Sequence, residues 1–158
     1  MKTILVVCTA NICRSPMVAG LLRDRLDRAG FGDQVEVSSA GVYGMEGSPA
    51  SQYGIELLDE RGVEFGDHVA RALQLSDISA ATLIIVMEEN HRMSIFHYAP
   101  GSLHKVFLLS ELAGENDDLH DPYGRNKDAY RDTLAIIDRY LDDGWPTLLK
   151  KLKLPESA

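Results

Sequence analysis

Cysteine is scarce in this chain: only Cys8 and Cys13 occur among 158 residues. That excludes the disulfide scaffold of a small secreted domain, which needs several cysteines spread along the chain. A metal site is not expected either. There is no second cysteine pair, and the histidines are scattered at positions 68, 91, 97, 104 and 120. No apolar run approaches the roughly 18 residues of a membrane span. The apolar opening, Ile4 to Val7, is too short for a signal peptide before Asn11 and Arg14. An excess of positive charge is missing as well. Sixteen Lys and Arg against 24 Asp and Glu leave a net charge of −8, which argues against a nucleic-acid partner. The expectation is a reduced, cytoplasmic protein with no cofactor and no membrane insertion.

What remains is an ordinary globular composition, 45% hydrophobic and 25% charged, at a length suited to one domain over residues 1–158. Ile4 to Val7 is β-branched and apolar without alternation, as in a strand buried on both faces. Pro16 suits a first helical turn, and Met17, Leu21, Leu22 and Leu26 continue at helical spacing to a stop at Gly30. Val35 to Val37 is predicted as a second strand, ended by Ser38 to Gly41, with a Gly/Ser/Pro-rich loop to Ser51. A helix is expected from about Pro49 to Gly62. Thr82 to Met87 is the third strand, Glu88 to Tyr98 a helix, and Lys105 to Leu109 the fourth strand. A last helix starts near Lys127 and is expected to break near Gly144 to Pro146. Strands alternating with helices imply an α/β fold: a small three-layer domain with a four-stranded parallel sheet.

In such sheets ligands bind beyond the carboxyl ends of the strands. The loop from Cys8 to Ser15 leaves the first strand at that end and enters a helix. Free amides at a helix start and in a tight loop form an anion nest. A cysteine opening such a loop is stabilised as a thiolate. Arg14 closes the loop with a planar fork that matches two phosphate oxygens. The Cys-x5-Arg spacing alone is a weak signal; its place between a buried strand and a helix makes it a strong one. For single residues plainer roles stand beside these: a buried small side chain for Cys8, a surface ion pair for Arg14, a turn former for Asn11.

The segment from Val7 to Pro16, VCTANICRSP, resembles the signature of the low-molecular-weight protein tyrosine phosphatases, with Ala10 where that family usually has Gly. Further blocks resemble the family in order: Val37 to Gly41, His68 to Arg71, Val86 to Glu88 and Asp121 to Tyr123. The resemblance implies strand order 2-1-3-4, helices on both faces, and hydrolysis of protein phosphotyrosine through a cysteinyl-phosphate. It implies Cys8 as nucleophile, Arg14 as transition-state clamp and Asp121 as the acid that protonates the leaving tyrosine oxygen. The phosphate would be cradled by Thr9, Ala10, Asn11, Ile12, Cys13, Arg14 and Ser15. Ser15 would donate to the thiolate, Asn11 and Ser39 would brace the loop, and His68 and Glu88 would act as a bracing pair behind it.

The substrate ring would be walled by Ile12, Tyr43, Met45 and Tyr123. An aliphatic Met45, and Gly124 after Tyr123 in place of a tandem tyrosine, resemble bacterial members paired with tyrosine autokinases of polysaccharide export. Phosphotyrosine proteins, such an autokinase among them, are the implied partners. Cys13 is either an inert thiol or a partner for a reversible disulfide with Cys8. The acidic stretch from Glu115 to Asp143 holds nine acids against four bases, and is either a solvated face or a selector of basic substrates. An arsenate reductase would need further cysteines, and an arginine phosphatase usually has Thr at the position of Ile12. A non-catalytic phosphopeptide-binding module would not need both Cys8 and Asp121.

Overall fold

The computed structural model describes residues 1–156; Ser157 and Ala158, which the expected domain includes, lie outside the described residues. Four strands form one parallel sheet in the order β2-β1-β3-β4: β1 Lys2–Cys8, β2 Val35–Gly41, β3 Leu83–Val86 and β4 Val106–Leu108. The helices are α1 Arg14–Arg28, α2 Gln52–Asp59, α3 Leu75–Ala80, α4 Glu89–Tyr98, α5 Leu109–Leu112 and α6 Lys127–Lys151. A 3-10 segment, Pro100–Lys105, precedes β4.

Alternate residues of the central strands feed two apolar layers. Ile4 and Val6 pack with Leu83, Ile85 and the apolar faces of α1, α2, α5 and α6. Leu5 and Val7 face the other way, with Ile84, Val86, Ile78 of α3 and Ile95 of α4. Burial on both faces is why β1 reads as an unbroken apolar run. α1 presents Met17, Val18, Leu21, Leu22 and Leu26 to the first layer. It stops where Gly30 adopts a φ of 86°, the left-handed residue that commonly follows a helix end.

Several boundaries differ from the sequence-based expectation. β2 does not end at Val37. Ser38 to Gly41 pair in register with Leu5 to Cys8, so backbone hydrogen bonding carries the strand through a polar stretch. α2 starts at Gln52 rather than Pro49, and Leu109 begins α5 rather than ending β4. α6 does not break. Pro146 removes one backbone donor, while Leu148, Leu149 and Leu152 stay packed on the core and hold the helix line. Its Gly144 lies flush against α5, where an added Cβ would stand 2.8 Å from Leu112 Cβ.

Strand order 2-1-3-4 sends the chain from β1 to one side and later to the other, so β1 is the switch point at which ligand crevices form. The segments after β1, β2 and β3 all emerge at this carboxyl end. At the end of β2, Gly41 lies so close to the first loop that a Cβ would sit 2.4 Å from the Thr9 carbonyl oxygen. Both groups are backbone and neither can swing aside. Gly41→Ala is therefore expected to cost about 1–3 kcal/mol in denaturant unfolding. An unchanged midpoint would mean that the two segments separate freely.

Candidate active site

The loop between β1 and α1 is held from outside by its carbonyls. Those of Cys8, Thr9 and Ala10 accept from the backbone amides of Val42, Tyr43 and Met45 at 3.0, 2.9 and 3.0 Å. The Asn11 carbonyl accepts from His68 Nε2 at 2.7 Å, and the Ile12 carbonyl from Ser51 N at 2.8 Å. Five consecutive carbonyls are thus turned outward. In a trans peptide the N–H points opposite to the C=O, so the amides of this loop converge inward.

Asn11 makes the bend. It is fully buried and sits at a φ of 64°, a conformation that Asn tolerates better than most residues. Its side chain makes three hydrogen bonds that hold that bend. Nδ2 donates to Ser15 Oγ at 2.8 Å and to Ser39 Oγ at 2.9 Å, and Oδ1 accepts from Arg71 N at 3.0 Å. Ser15 Oγ also lies 2.9 Å from Cys8 Sγ. Because Ser15 accepts from Asn11, its own hydrogen is free to point at the sulfur.

Arg14, at 1% exposure, is a fully buried cation. Nη1 donates to Glu88 Oε2 at 2.5 Å and to the Leu119 carbonyl at 2.6 Å, and Nη2 to Thr9 Oγ1 at 3.4 Å. Its Nε has no hydrogen-bond partner. A buried charged donor without an acceptor is costly, so Nε is the donor of Arg14 left available to an incoming anion.

Asp121 arrives from the segment before α6. Leu119 anchors that segment: it is buried, and its N–H donates to the Met87 carbonyl at 2.8 Å. Ser110 Oγ binds both the carbonyl and the amide of Asp117, and Asp118 Oδ1 accepts from Glu89 N at the start of α4. Asp121 Oδ2 then lies 3.6 Å from Arg14 Nη2, half-exposed, while Oδ1 accepts from Tyr123 N. Cys8, Arg14, Asp121, Ile12, Met45 and Tyr123 line one small cavity of about 160 Å³. A larger open hollow of about 880 Å³, lined among others by Glu89, Arg92, Glu111 and Asp118, contains no cysteine, and its Arg92 is already paired with Glu89 and Glu111.

The structure therefore brings Cys8, Thr9, Ala10, Ile12, Cys13, Arg14, Met45, Asp121 and Tyr123 around one space, with Asn11, Ser15 and Ser39 directly behind. Tyr43 is not among the lining residues. It is 77% exposed and meets the loop through its backbone amide. His68 and Glu88 are not a pair: one holds the Asn11 carbonyl, the other the Arg14 guanidinium. Both cysteines are free thiols, and Cys13 Sγ contacts Tyr130 OH at 3.3 Å. Burial pushes the Cys13 thiol up from its ordinary range, so it is the less reactive form that predominates there.

Sequence reasoning missed the anchors of the segment that carries Asp121 and one further residue, His91. Its ring is buried, with Nδ1 accepting from Glu88 N at 3.1 Å and Nε2 lying 2.9 Å from Thr9 Oγ1. The available signal was the Glu88-x-x-His91 spacing at a helix start, a relative of the capping box.

A family model described as low molecular weight phosphotyrosine protein phosphatase matches residues 3–154. The chain is 38% identical over 147 residues to a probable low molecular weight protein-tyrosine-phosphatase, EpsP, of Ralstonia solanacearum, covering 93% of this chain and 96% of that one. It is 36% identical over 140 residues to a protein-arginine-phosphatase of Geobacillus stearothermophilus, covering 88% and 90%. Among solved structures it is similar to a low molecular weight protein tyrosine phosphatase from T. tengcongensis, with a TM-score of 0.87 at 33% identity, covering 93% of this chain and 99% of that one.

Burial, and then the Arg14 cation, push the His91 pKa from 6.5 down to about 4, against smaller opposing pulls from Asp118 and Asp121. The unfolded chain thus takes up a proton near pH 6.5 that the folded chain refuses until about pH 4. Stability from this group is complete above that window and is lost as pH falls through it. Thermal midpoints measured between pH 7 and pH 4 should drop less steeply in His91→Asn than in the wild type. Parallel curves would show that His91 is not held neutral by the fold.

Proposed function

Since the chain belongs to the low molecular weight phosphotyrosine protein phosphatase family, and is on that footing a protein-tyrosine-phosphatase, we propose that Cys8, Arg14 and Asp121 carry its chemistry. The observation that bears the most weight is the unpartnered, buried Nε of Arg14 in the residue that lines a cavity with Cys8. Cys8 Sγ attacks the phosphorus; an S–P bond forms as the P–O bond to tyrosine breaks. Asp121 gives its proton to the departing phenolate oxygen. In the second step Asp121 takes a proton from water, the water oxygen bonds to phosphorus, and the S–P bond breaks to release phosphate. Through both steps the inward amides and Arg14 meet the charge on the equatorial oxygens, where electrostatic stabilisation is most effective.

The cavity walls favour an aryl phosphate over a phosphorylated guanidino group. Ile12, Met45 and Tyr123 offer apolar surface. A guanidino group entering there would meet Asp121 as its one carboxylate, already shared with Arg14, and otherwise apolar walls that leave N–H donors unpaired. The substrates we propose are phosphotyrosine proteins, among them a bacterial tyrosine autokinase, and the cytoplasm is the compartment where such a substrate would be met.

Cys8→Ser is expected to abolish turnover of p-nitrophenyl phosphate and of a phosphotyrosine peptide while still binding phosphate. Activity surviving in that variant would falsify the covalent route. Asp121→Asn should lower kcat on the phosphotyrosine peptide by about 10²–10⁴-fold, and by less on p-nitrophenyl phosphate, whose leaving group needs little protonation. Equal losses on both would remove Asp121 as the acid. Wild type should turn over phosphotyrosine faster than phosphoarginine peptide; the reverse order would assign it to the second chemistry.

A further inference from the structure

We infer that His91 is a positioning residue that aims the Arg14 guanidinium, because its two ring nitrogens hold two residues, Glu88 and Thr9, whose side chains accept hydrogen bonds from that group. The inference rests on the role given to Arg14 above.

The contacts form a closed circuit. His91 Nδ1 accepts from the Glu88 amide at 3.1 Å, so it carries no hydrogen, and in the neutral ring the hydrogen sits on Nε2. Nε2 then donates to Thr9 Oγ1 at 2.9 Å. Thr9 Oγ1 accepts from Arg14 Nη2, and Glu88 Oε2 accepts from Arg14 Nη1. Thr9 follows β1 and Glu88 follows β3, its paired neighbour. One imidazole therefore spans two strand ends and keeps both guanidinium contacts in register. Nothing else about the ring is free to vary, since it is 1% exposed.

The circuit works only with a neutral ring. A second proton, on Nδ1, would face the Glu88 N–H and cost one of the two bonds. The charged groups that act on His91 are Arg14, Glu88 with Oε2 4.0 Å from Nε2, Asp118 and Asp121. Burial and Arg14 prevail, so His91 remains a fixed donor across neutral pH. A group that sets the direction of Arg14, rather than its presence, matters most where geometry is most demanding. That is the five-coordinate transition state, not the tetrahedral ground state.

The test compares wild type, His91→Asn, Thr9→Val and the double variant. Asn keeps an acceptor for the Glu88 amide but is too short to reach Thr9. Turnover of the phosphotyrosine peptide is measured together with inhibition by vanadate, which adopts the five-coordinate geometry, and by inorganic phosphate. In His91→Asn, kcat should fall about tenfold with KM within about twofold of wild type. Vanadate should weaken in step with kcat while phosphate inhibition barely moves. Thr9→Val should show the same split, and the double variant should be no worse than the weaker single one. An unchanged kcat, equal weakening of vanadate and phosphate, or losses that multiply in the double variant would each overturn the inference. If His91→Asn does not fold by circular dichroism, His91→Gln takes its place in the same comparison, and the same outcomes overturn the inference. The two readings fail separately: activity persisting in Cys8→Ser sinks the assigned chemistry, whereas a dead Cys8→Ser beside an unaffected His91→Asn sinks only the role of His91.

Discussion

A guanidinium buried to 1% exposure is the constraint on which the rest of this structure turns. Such a charge cannot be neutralised by losing a proton, so the fold must supply its counter-charge and acceptors. Glu88 and the Leu119 carbonyl satisfy Nη1, Thr9 reaches Nη2, and Asp121 lies 3.6 Å away, leaving Nε unspent. These partners come from three separate parts of the chain. Placing Arg14 therefore pins the ends of β1 and β3 and the segment before α6 to one another. In the proposed mechanism the unspent donor turns a structural ion pair into a receptor for a tetrahedral anion.

The loop amides depend on a second set of restraints that act from the opposite side. Segments after β2, the start of α2 and His68 take up the carbonyls from Cys8 to Ile12. Asn11, held in the left-handed region by three side-chain hydrogen bonds, makes the reversal possible. Rigidity is the functional result. In the proposed mechanism, donors that are already oriented need no rearrangement when charge develops on phosphoryl oxygens. The parallel sheet makes this affordable, because all four strands deliver their carboxyl ends to one side.

The segment that carries Asp121 follows a different logic. Asp121 is half-exposed, but the residues just before it are anchored through Leu119, Asp118 and the Ser110–Asp117 contacts. For the proposed acid, firm roots and an open tip would let the carboxylate meet first a bulky phosphoprotein and then a water molecule. Tyr123 and Met45 remain partly exposed at the same mouth, so apolar contact with a ring is available without closing the cavity.

Much of this was legible in one dimension. The apolar runs of β1 and β3 are buried on both faces and so lack alternation, and the strand–loop–helix setting of Cys8 and Arg14 follows from local pattern alone. So do the helical spacing of α1 and the Asp-Pro-Tyr turn that bears Asp121. What sequence could not disclose were contacts made across long separations. β2 runs through Ser38 to Gly41 because β1 lies alongside, and α6 passes Pro146 unbroken because the core holds both its sides. Tyr43 turns away from the cavity, His68 and Glu88 serve different residues, and His91 joins Glu88 to Thr9. Residue order specifies which groups can react and what local backbone they prefer, since those are short-range properties. Which nitrogen meets which oxygen was decided only when separated segments packed together, because hydrogen bonds form over about 3 Å and depend on direction.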